Sequence, residues 1–342
     1  MKIGLIGYQG AGKSTLFEWL TGIAPDAAKS HTGQSAMAPV PEPRIADLCK
    51  IYQPKKITQA SLELVDTPGL SRTHEGNPAR LGLLRDCGCV IMLVAAFDRA
   101  ASAQQDLNRF QEDLLLADME IVSGRVDRLR DSVKKPRPNR EQEIAELAAL
   151  EQVLAAMEAG KPLAESAMTE DQLKATRSFR LLTEKPALVV LNIADDEDPA
   201  ARAAAVGGDR PLIAVRVGLE LELARMTPEE RTEFERDLGL TGSERDQVLR
   251  TILEVSGQML YFTAGEKEVR TWMMRKGGTA LEAADNIHSD LARGFIRAEV
   301  MTVGDLVRLG SERELKANNL VRQEPKDYVV KDDDILNIRF SV

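Results

Sequence analysis

The feature that most constrains the fold is a glycine-rich loop close to the amino terminus. Residues 7–15 read GYQGAGKST, a complete GxxxxGK[ST] motif between the apolar segment Lys2 to Ile6 and an apolar helical stretch. A strand, such a loop and a helix in this order form the P-loop of nucleotide-binding α/β proteins. Successive backbone N–H groups and the positive end of the helix then surround a β-phosphate. We therefore expect a nucleotide site here.

The motif assigns a role to each of its side chains. We expect Lys13 to act on the β- and γ-phosphates, and we expect the Ser14 hydroxyl to bind Mg²⁺, a cation that prefers oxygen ligands. Gln9, whose bulk should approach the γ-phosphate, either orients a water molecule or obstructs an incoming arginine. The predicted nucleotide-binding residues of this loop are Gly7, Gly10, Ala11, Gly12, Lys13, Ser14 and Thr15.

A second motif, residues 66–69 (DTPG), follows the predicted strand Ser61 to Val65. The Asp66 carboxylate is expected to hold Mg²⁺ through water, and the Gly69 amide is expected to sense the γ-phosphate, which makes the following loop a switch. This motif favours a translation-factor type of GTPase over a small-molecule kinase. GTPases of this type often carry glutamine after the glycine, but this chain has Leu70, so we expect slow hydrolysis.

Two further parts of the site are less sharply defined. Thr32 is our choice for the Mg²⁺ ligand of the first switch, with Ser30 and Ser35 as rivals. His74 is a weaker candidate for positioning water, because a lone histidine in a polar loop is more often merely exposed to solvent.

Base recognition is predicted at residues 192–195 (NIAD), which follow the predicted strand Ala187 to Leu191. In the usual NKxD pattern the aspartate accepts hydrogen bonds from guanine. Here Asn192 and Asp195 are present, and Ile193 replaces the lysine. The alternative is an ordinary turn at the end of a strand.

From Gln104 onward the apolar residues follow helical spacing. Two stripes are separated by Pro136 and Pro138, which predicts an antiparallel helical hairpin whose apolar seams bury each other. The stripes are Leu107, Phe110, Leu114, Ala117 and Ile121, then Ile144, Leu147, Leu150, Leu154 and Met157. Residues 125–140 contain seven Lys or Arg and two Asp, which gives this stretch a charge of about +5. This tip is either a solvated surface or a contact for RNA or another acidic partner.

The bulk composition restricts the class of protein. A net charge of −9 argues against a general polyanion-binding surface, so any nucleic-acid contact must be local. Three cysteines are too few and too clustered for a disulfide framework. The amino terminus does not resemble a signal peptide and the longest apolar run, Cys89 to Phe97, is too short for a bilayer, so we expect a cytoplasmic protein without a membrane partner.

The expected fold is an α/β P-loop domain, with a mostly parallel sheet and helices on both faces, into which the hairpin is inserted. Further strands are predicted at Val90 to Ala95 and Leu212 to Val215, and helices at Pro228 to Leu238 and Glu244 to Ser256. After Gly257 short strands and one helix, near Thr279 to Ile287, predict a small α+β domain. The predicted strands are Leu260 to Thr263, Val269 to Met273, Tyr328 to Val330 and Ile335 to Phe340. The expected bounds are 1–103 with 184–257 for the nucleotide-binding domain, 104–183 for the hairpin, and 258–342 for the carboxyl-terminal domain.

Beyond these motifs, the chain resembles the YchF / Obg-like ATPase family over nearly its whole length. The resemblance is most specific after Gly257, where this family carries a TGS domain of ubiquitin-like β-grasp fold. The segments that carry it are 39–44 (PVPEPR), 238–240 (LGL), 261–265 (YFTAG), 267–270 (KEVR), 287–290 (IHSD), 294–300 (GFIRAEV) and 326–332 (KDYVVKD).

The resemblance implies weak nucleotide hydrolysis, a preference for ATP over GTP, and association with ribosomes or RNA. Three departures stand out: Gly10 replaces an asparagine linked to potassium binding, Asp195 replaces a glutamate, and the loop between Leu70 and Arg80 is about four residues shorter. We expect a slow Mg²⁺-dependent ATPase or GTPase that acts as a switch on a ribosome or RNA partner. The alternative is a binding module that holds nucleotide and hardly hydrolyses it.

In the carboxyl-terminal domain, one interpretation is a packing module and the other is an RNA-facing module, suggested by Lys267, Arg270, Arg275 and Lys276. Trp272 and Met273 are most simply core residues of a short strand.

Overall fold

The computed structural model describes residues 1–29, 32–97, 102–160, 163, 168–206, 208, 210–238 and 244–341. The chain forms two compact units: residues 1–36 with 63–245, and residues 37–62 with 246–342. The sequence assigned all of 1–103 to the nucleotide-binding domain, whereas the structure places 37–62 in the second unit. The physical reason is strand pairing, because a short strand of this segment extends the carboxyl-terminal sheet. The other domain bounds stay a prediction.

The bounds of the helices and strands are as follows. The helices are α1 (Lys13–Thr21), α2 (Arg44–Tyr52), α3 (Asn77–Gly82), α4 (Ala103–Ser132), α5 (Arg140–Glu158), α6 (Glu170–Thr176), α7 (Pro199–Val206), α8 (Val217–Arg225), α9 (Pro228–Leu238), α10 (Glu244–Val255), α11 (Ala280–Ile287), α12 (Ser289–Arg293), α13 (Val303–Leu309) and α14 (Glu312–Ala317). The strands are β1 (Lys2–Ile6), β2 (Gln34–Pro39), β3 (Ile57–Thr58), β4 (Ser61–Asp66), β5 (Cys89–Ala95), β6 (Ala187–Asn192), β7 (Leu212–Val215), β8 (Gln258–Ala264), β9 (Val269–Arg275), β10 (Phe295–Thr302), β11 (Arg322–Glu324) and β12 (Asp334–Phe340).

The first sheet has the strand order β2-β4-β1-β5-β6-β7 in the part of the chain that the structure describes. Strands β4, β1, β5, β6 and β7 run parallel. The five strands predicted for this sheet are confirmed to within one residue at each end. Because the carboxyl ends of parallel strands meet at one edge of a sheet, the loops after β1, β4 and β6 lie together there.

The two halves of α4 are buried against different partners. The first half contributes Leu107, Phe110 and Leu114 to the core that also contains the first sheet. The second half packs on α5 through Val122, Val126 and Leu129, which face Leu150, Val153 and Met157. The predicted hairpin is confirmed, but its seams bury each other only in the distal half, because the sheet covers the proximal stripe. Ile144, assigned to the second stripe, is 43% exposed.

The hairpin tip is less basic in three dimensions than in sequence. Arg125 forms a two-point ion pair with Glu146, with N–O distances of 2.8 and 2.7 Å. Arg130 donates to Glu151 at 2.8 Å, and Lys134 donates to Asp131 at 2.8 Å. The two glutamates belong to α5 and lie outside residues 125–140, the stretch whose charge was counted. Ion pairs across the hairpin therefore neutralise part of the +5 charge.

The second unit is built on a mixed sheet with the order β11-β10-β12-β8-β9-β3 among the described residues. Helix α11 packs on one face of it, around Tyr261, Val300 and Leu336. Helices α2 and α13 pack around Phe262 and Ile335 in a separate cluster. The strand expected at residues 328–330 was wrong: Tyr328 N donates to Pro325 O at 3.2 Å, and this turn makes one isolated bridge, at residue 329. Strand β10 was not predicted.

Two expectations from composition are tested directly. All three cysteines are free thiols, and burial raises the pKa of Cys89 to about 12. Within the described ranges, no helix combines the length and the apolar composition that a bilayer span requires.

Candidate nucleotide-binding site

The P-loop forms a tight backbone turn between β1 and α1. Gly12 precedes α1 with a φ of 94°, in the left-handed region that glycine adopts without strain. A Cβ atom at this position would lie 2.5 Å from Nδ2 of Asn192. The side chain of Asn192 donates to Ala11 O at 3.1 Å and accepts from Val217 N at 3.3 Å. Asn192 therefore links the P-loop to the start of α8 through hydrogen bonds.

Lys13 lies almost completely inside the loop, with 7% of its surface exposed. Its ammonium donates to Gly7 O at 3.1 Å and to Tyr8 O at 3.3 Å. Burial lowers the pKa of this ammonium, the charge of Asp66 raises it, and the charge of Arg80 lowers it further. A desolvated ammonium held by carbonyl oxygens is well placed to exchange those contacts for phosphate oxygens.

Ser14 and Asp66 meet at the edge of the sheet. The Ser14 hydroxyl donates to Asp66 Oδ2 at 2.8 Å. The other carboxylate oxygen, Asp66 Oδ1, is buried and has no hydrogen-bond partner among the described residues. Burial raises the pKa of Asp66, and the Ser14 hydrogen bond and the Lys13 charge lower it. An unpartnered carboxylate oxygen beside a hydroxyl is a donor set that fits Mg²⁺.

The switch loop after β4 contacts the P-loop directly. Leu70 N donates to Gly7 O at 3.0 Å, and Gln9 N donates to Leu70 O at 3.0 Å. A Cβ atom on Gly69 would lie 2.9 Å from Gln9 Cα and 3.1 Å from the Lys13 nitrogen, so only glycine fits this position. Gly69 and Leu70 therefore lie in close contact with the P-loop.

A cleft of about 530 Å³ lies over these residues. It is lined by Gln9, Gly10, Lys13, Ser14, Pro25, Asp26, Lys29, Gln34, Asp66, Thr67, Pro68, Gly69 and Arg80. Within the described ranges, no group of three or more His, Cys, Asp or Glu side chains is placed to hold a metal ion. A cation bound beside Asp66 would therefore take most of its ligands from phosphate and water, as Mg²⁺ commonly does.

Not every predicted site residue lines this cleft. Thr32 and Ser35 are exposed and lie outside its lining, and the rival Ser30 lies outside the described residues. From the same segment the structure brings Asp26, Lys29 and Gln34 to the cleft instead. Gln34 Oε1 accepts from Asp26 N at 2.7 Å, which folds the segment back on itself. Spacing alone does not reveal this contact.

The two residues predicted for base recognition lie in different surroundings. Asn192 is buried and its amide is fully used in the backbone contacts described above. Asp195 is exposed, and no hydrogen bond or ion pair to its carboxylate is found within the described residues. The structure thus places Asp195 beyond the phosphate cleft, on the loop that follows β6, with its acceptor oxygens available to a ligand.

A cluster that sequence reasoning missed connects the P-loop to α4. Asp113 of α4 is 4% exposed. It accepts from the Tyr8 hydroxyl at 3.4 Å and from Asn77 Nδ2 at 3.2 Å, and its Oδ1 lies 2.6 Å from His74 Nδ1. We call these four residues the Asp113 cluster. His74, the weaker candidate for positioning water, is half exposed and also pairs with this carboxylate.

Two more contacts fasten the same surfaces together. The Tyr8 ring stacks on Phe110 of α4, with centroids 4.3 Å apart. Arg72 of the switch loop forms a two-point ion pair with Asp106 at the start of α4. The signal in the sequence was two aspartates, Asp106 and Asp113, seven residues apart on the face of α4 that carries the apolar stripe.

The fold and this site can now be compared with known proteins. Residues 2–123 match the model of a "50S ribosome-binding GTPase". Residues 259–341 match the model YchF-GTPase_C, described as "Protein of unknown function (DUF933)". The "Ribosome-binding ATPase YchF" of Bacillus subtilis is 33% identical over 99% of this chain and 99% of its own length. The chain belongs to the YchF / Obg-like ATPase family.

Other YchF relatives agree in length and fold. The "Ribosome-binding ATPase YchF" of Haemophilus influenzae is 30% identical, over 100% of this chain and 99% of its own. The YchF GTPase of Schizosaccharomyces pombe superposes with a TM-score of 0.85 at 26% identity, covering 99% of this chain and 97% of that one. The fold class predicted from the sequence and the family resemblance are both confirmed. These relatives are named ATPase in one case and GTPase in the other.

Proposed function

We propose that this YchF-family protein binds ATP or GTP with Mg²⁺, hydrolyses it slowly, and uses the bound nucleotide to control its affinity for a ribosomal or RNA partner in the cytoplasm. The observation that carries the proposal is the Asp113 cluster. It joins a P-loop residue, Tyr8, and the switch loop to α4, the first helix of the hairpin. The relatives named for ribosome binding support the choice of partner.

The chemistry follows from the residues at the cleft. Lys13 would stabilise the charge on the β- and γ-phosphates, and the Gly69 amide would contact the γ-phosphate. Ser14 and Asp66 would hold Mg²⁺, which neutralises phosphate charge when bound. Gln9 lines the cleft, and its amide would orient water or limit access to the γ-phosphate. Thr32 stays our proposal for a ligand from the first switch, reached by a movement of its loop.

Slow hydrolysis follows from the position after Gly69. Leu70 is 2% exposed and packs in the core, so no polar side chain from this position reaches the cleft. Gln9 is the nearest substitute. We expect Gln9→Gly to change the single-turnover hydrolysis rate by about tenfold, since one positioned group is worth this much or more. An unchanged rate would remove Gln9 from the mechanism.

The switch mechanism makes a direct prediction for the partner. Gly69 cannot move toward a γ-phosphate without moving Leu70, and the loop beyond it carries Arg72 and His74, which bind α4. A change at the cleft would therefore reach the hairpin through the side chains of Arg72 and His74, which bind Asp106 and Asp113. This is the type of two-state element that a γ-phosphate biases in other nucleotide switches.

The test is co-sedimentation of the protein with 50S ribosomal subunits in the presence of NDP or a non-hydrolysable NTP analogue. We expect binding to depend on the nucleotide in the wild type. We expect that dependence to disappear in Asp113→Ala while nucleotide affinity changes less than about fivefold, or 1 kcal/mol. Asp131→Ala, an exposed aspartate on the same helix, is the control. A wild type that binds ribosomes equally in both states would refute the switch.

The basic surfaces are the candidate contacts with RNA. On the hairpin tip, Arg128, Lys135 and Arg137 form no ion pair with another described residue. In the carboxyl-terminal domain, Arg270 stacks on the Trp272 ring at 3.7 Å, and of the four cations named from the sequence Lys267, Arg275 and Lys276 are exposed. Salt dependence of ribosome binding in Arg137→Glu and Lys276→Glu would compare the two sites, because each lost phosphate contact lowers the salt slope by about one.

Two points of the proposal depend on measurement. The first is base choice, tested by the affinities of fluorescent ATP and GTP analogues for the wild type and Asp195→Glu. Tight GTP binding that weakens on substitution would assign guanine recognition to Asp195, whereas ATP preference in both would place base choice elsewhere in the loop. The second is the alternative of a binding module, which Leu70 favours; a module would release no phosphate burst above background.

A further inference from the structure

The phosphate cleft contains a cation that the P-loop motif does not account for. Three cationic residues line it: Lys13, Lys29 and Arg80. Lys13 belongs to the motif, and Lys29 lies 4.0 Å from Asp26 in an ion pair. Arg80 comes from α3, the helix that follows the switch loop, and no ion pair or side-chain hydrogen bond joins its guanidinium to any other described residue.

The position of Arg80 is determined by the backbone of α3. Gly76 precedes this helix with a φ of 71°, and Arg80 N donates to Gly76 O at 3.4 Å. A Cβ atom on Gly76 would lie 3.9 Å from the guanidinium carbon of Arg80, so the side chain extends back along its own helix. The guanidinium is therefore carried by the segment that must move when Gly69 contacts a γ-phosphate.

The positive charges of Arg80 and Lys13 are close enough to affect each other within the cleft. The positive charge of Arg80 lowers the pKa of the Lys13 ammonium, in addition to the effect of burial. Two cations that face one cleft repel each other unless an anion lies between them. The carboxylates that line the cleft, Asp26 and Asp66, already interact with Lys29 and Ser14. A polyphosphate would supply the missing negative charge.

We propose that Arg80 is a catalytic residue that contacts the transferred phosphoryl group and stabilises its charge from within the same chain. In the transition state of phosphoryl transfer, negative charge spreads over the γ-phosphoryl oxygens and the leaving oxygen. A planar guanidinium can donate to two such oxygens at once, which an ammonium cannot do. This inference rests on the hydrolysis proposed above and adds a residue that no motif in this chain identifies.

The experiment compares the full-length wild type with Arg80→Ala, Arg80→Lys and, as a matched control, Arg177→Ala, which removes an exposed arginine that does not line the cleft. Three quantities are measured with Mg²⁺: the single-turnover hydrolysis rate for ATP and GTP, the affinity for a non-hydrolysable NTP analogue, and the affinity for NDP with aluminium fluoride. We expect Arg80→Ala to lose at least about 100-fold in rate, by comparison with arginines known to act on phosphoryl groups.

The affinities separate catalysis from simple binding. In Arg80→Ala, affinity for the NTP analogue should change less than about fivefold, whereas affinity for the aluminium fluoride complex should fall in parallel with the rate, because that complex imitates the transition state. Arg80→Lys should keep the fold and the charge but recover only part of the rate. Arg177→Ala should match the wild type in all three measurements.

Each other outcome has a definite meaning. Equal losses in both affinities, with an unchanged rate per bound nucleotide, would make Arg80 a ground-state binding residue and overturn the inference. A wild type that hydrolyses above background and an Arg80→Ala that keeps its rate would overturn the role of Arg80 alone. A wild-type rate at background would refute the proposed hydrolysis itself and the role of Arg80 with it.

Discussion

Asp113 and Glu220 are buried to the same extent, each 4% exposed, but their surroundings are opposite. Asp113 is surrounded by three polar side chains that come from the P-loop, the switch loop and the start of α3. Glu220 of α8 lies near Glu244, and Glu220 Oε2 has no hydrogen-bond partner among the described residues. Burial raises the pKa of Glu220 to about 7, and the charge of Glu244 raises it further. A hydrogen bond with the Glu244 backbone lowers it, as do the charges of Arg231 and Arg216.

The difference shows when a buried carboxylate stabilises a fold. Removing a carboxylate from water is repaid only when hydrogen bonds or opposite charges replace the lost hydration. Asp113 meets this condition because three separate segments converge on it, and for the same reason it can link those segments. Glu220 does not meet it at neutral pH, because its neighbour Glu244 is also a carboxylate whose Oε2 is unpartnered.

The largest effect should come from Asp113→Ala. The change leaves the Tyr8 hydroxyl, His74 and the Asn77 amide without their shared acceptor, and unsatisfied buried groups cost about 2–3 kcal/mol of unfolding free energy in such a case. Chemical denaturation followed by circular dichroism measures it. Asp131→Ala on the same helix should leave the stability nearly unchanged, because Asp131 forms an exposed ion pair with Lys134. Equal effects of the two changes would contradict the importance of the cluster.

Glu220→Gln should have the next largest effect and the opposite sign. The folded-state pKa of about 7 lies above 4.5, the ordinary pKa of a glutamate, so the folded protein binds more protons than the unfolded chain between these values. Stability is therefore lost as the pH rises through this window. We expect the glutamine variant to be more stable than the wild type by about 1–3 kcal/mol at pH 8 and by much less at pH 5.

Thermal unfolding of wild type and Glu220→Gln at both pH values measures the difference, which cancels the titration of other groups. Glu222→Gln, two residues away on the same helix and exposed, should show no such pH dependence. If Glu220→Gln destabilised the protein at pH 8, Glu220 would have a partner of the kind that Asp113 has, and the contrast between the two regions would disappear.

Tyr8→Phe should have the smallest effect and sharpens the account of the Asp113 cluster. The Tyr8 hydroxyl donates to Asp113 over a long 3.4 Å, whereas the ring stacks closely on Phe110. We expect a loss of about 0.5 kcal/mol or less, because the stacking is kept and the hydrogen bond is weak. In a double-mutant cycle with Asp113→Ala, a coupling above about 1 kcal/mol would show that the hydroxyl matters more than its distance indicates.

The P-loop, the switch motif and the hairpin could be predicted from the sequence because each depends on residues close together in the chain. The P-loop needs a strand, a left-handed glycine and a helix in immediate succession, so the sequence was sufficient to bring Lys13 and Ser14 to one cleft. Asp66 followed from the same logic, as the last residue of a parallel strand next to β1. The hairpin was equally predictable, since prolines interrupt two stripes of helical period.

Other parts of the site could not be read from the chain. Asp113 and Tyr8 are separated by 105 residues and Asp106 and Arg72 by 34, and no periodicity in the sequence indicates such pairs. The positive charge of the hairpin tip was overestimated from the sequence because Glu146 and Glu151 lie 21 residues from the arginines they bind. Thr32 was chosen for its chemistry, but the backbone turned Gln34 and Lys29 toward the cleft instead.

Residue type and short spacing were enough to identify the class of ligand, the strands that precede the P-loop and the switch motif, and membership of the YchF family. Tertiary structure alone decided that the switch loop and the P-loop share a carboxylate on α4, that Arg80 faces the same cleft as Lys13, and that residues 37–62 belong to the second unit. The physical reason is that long-range contacts depend on how helices and strands pack, and many chain segments of similar composition could satisfy each one.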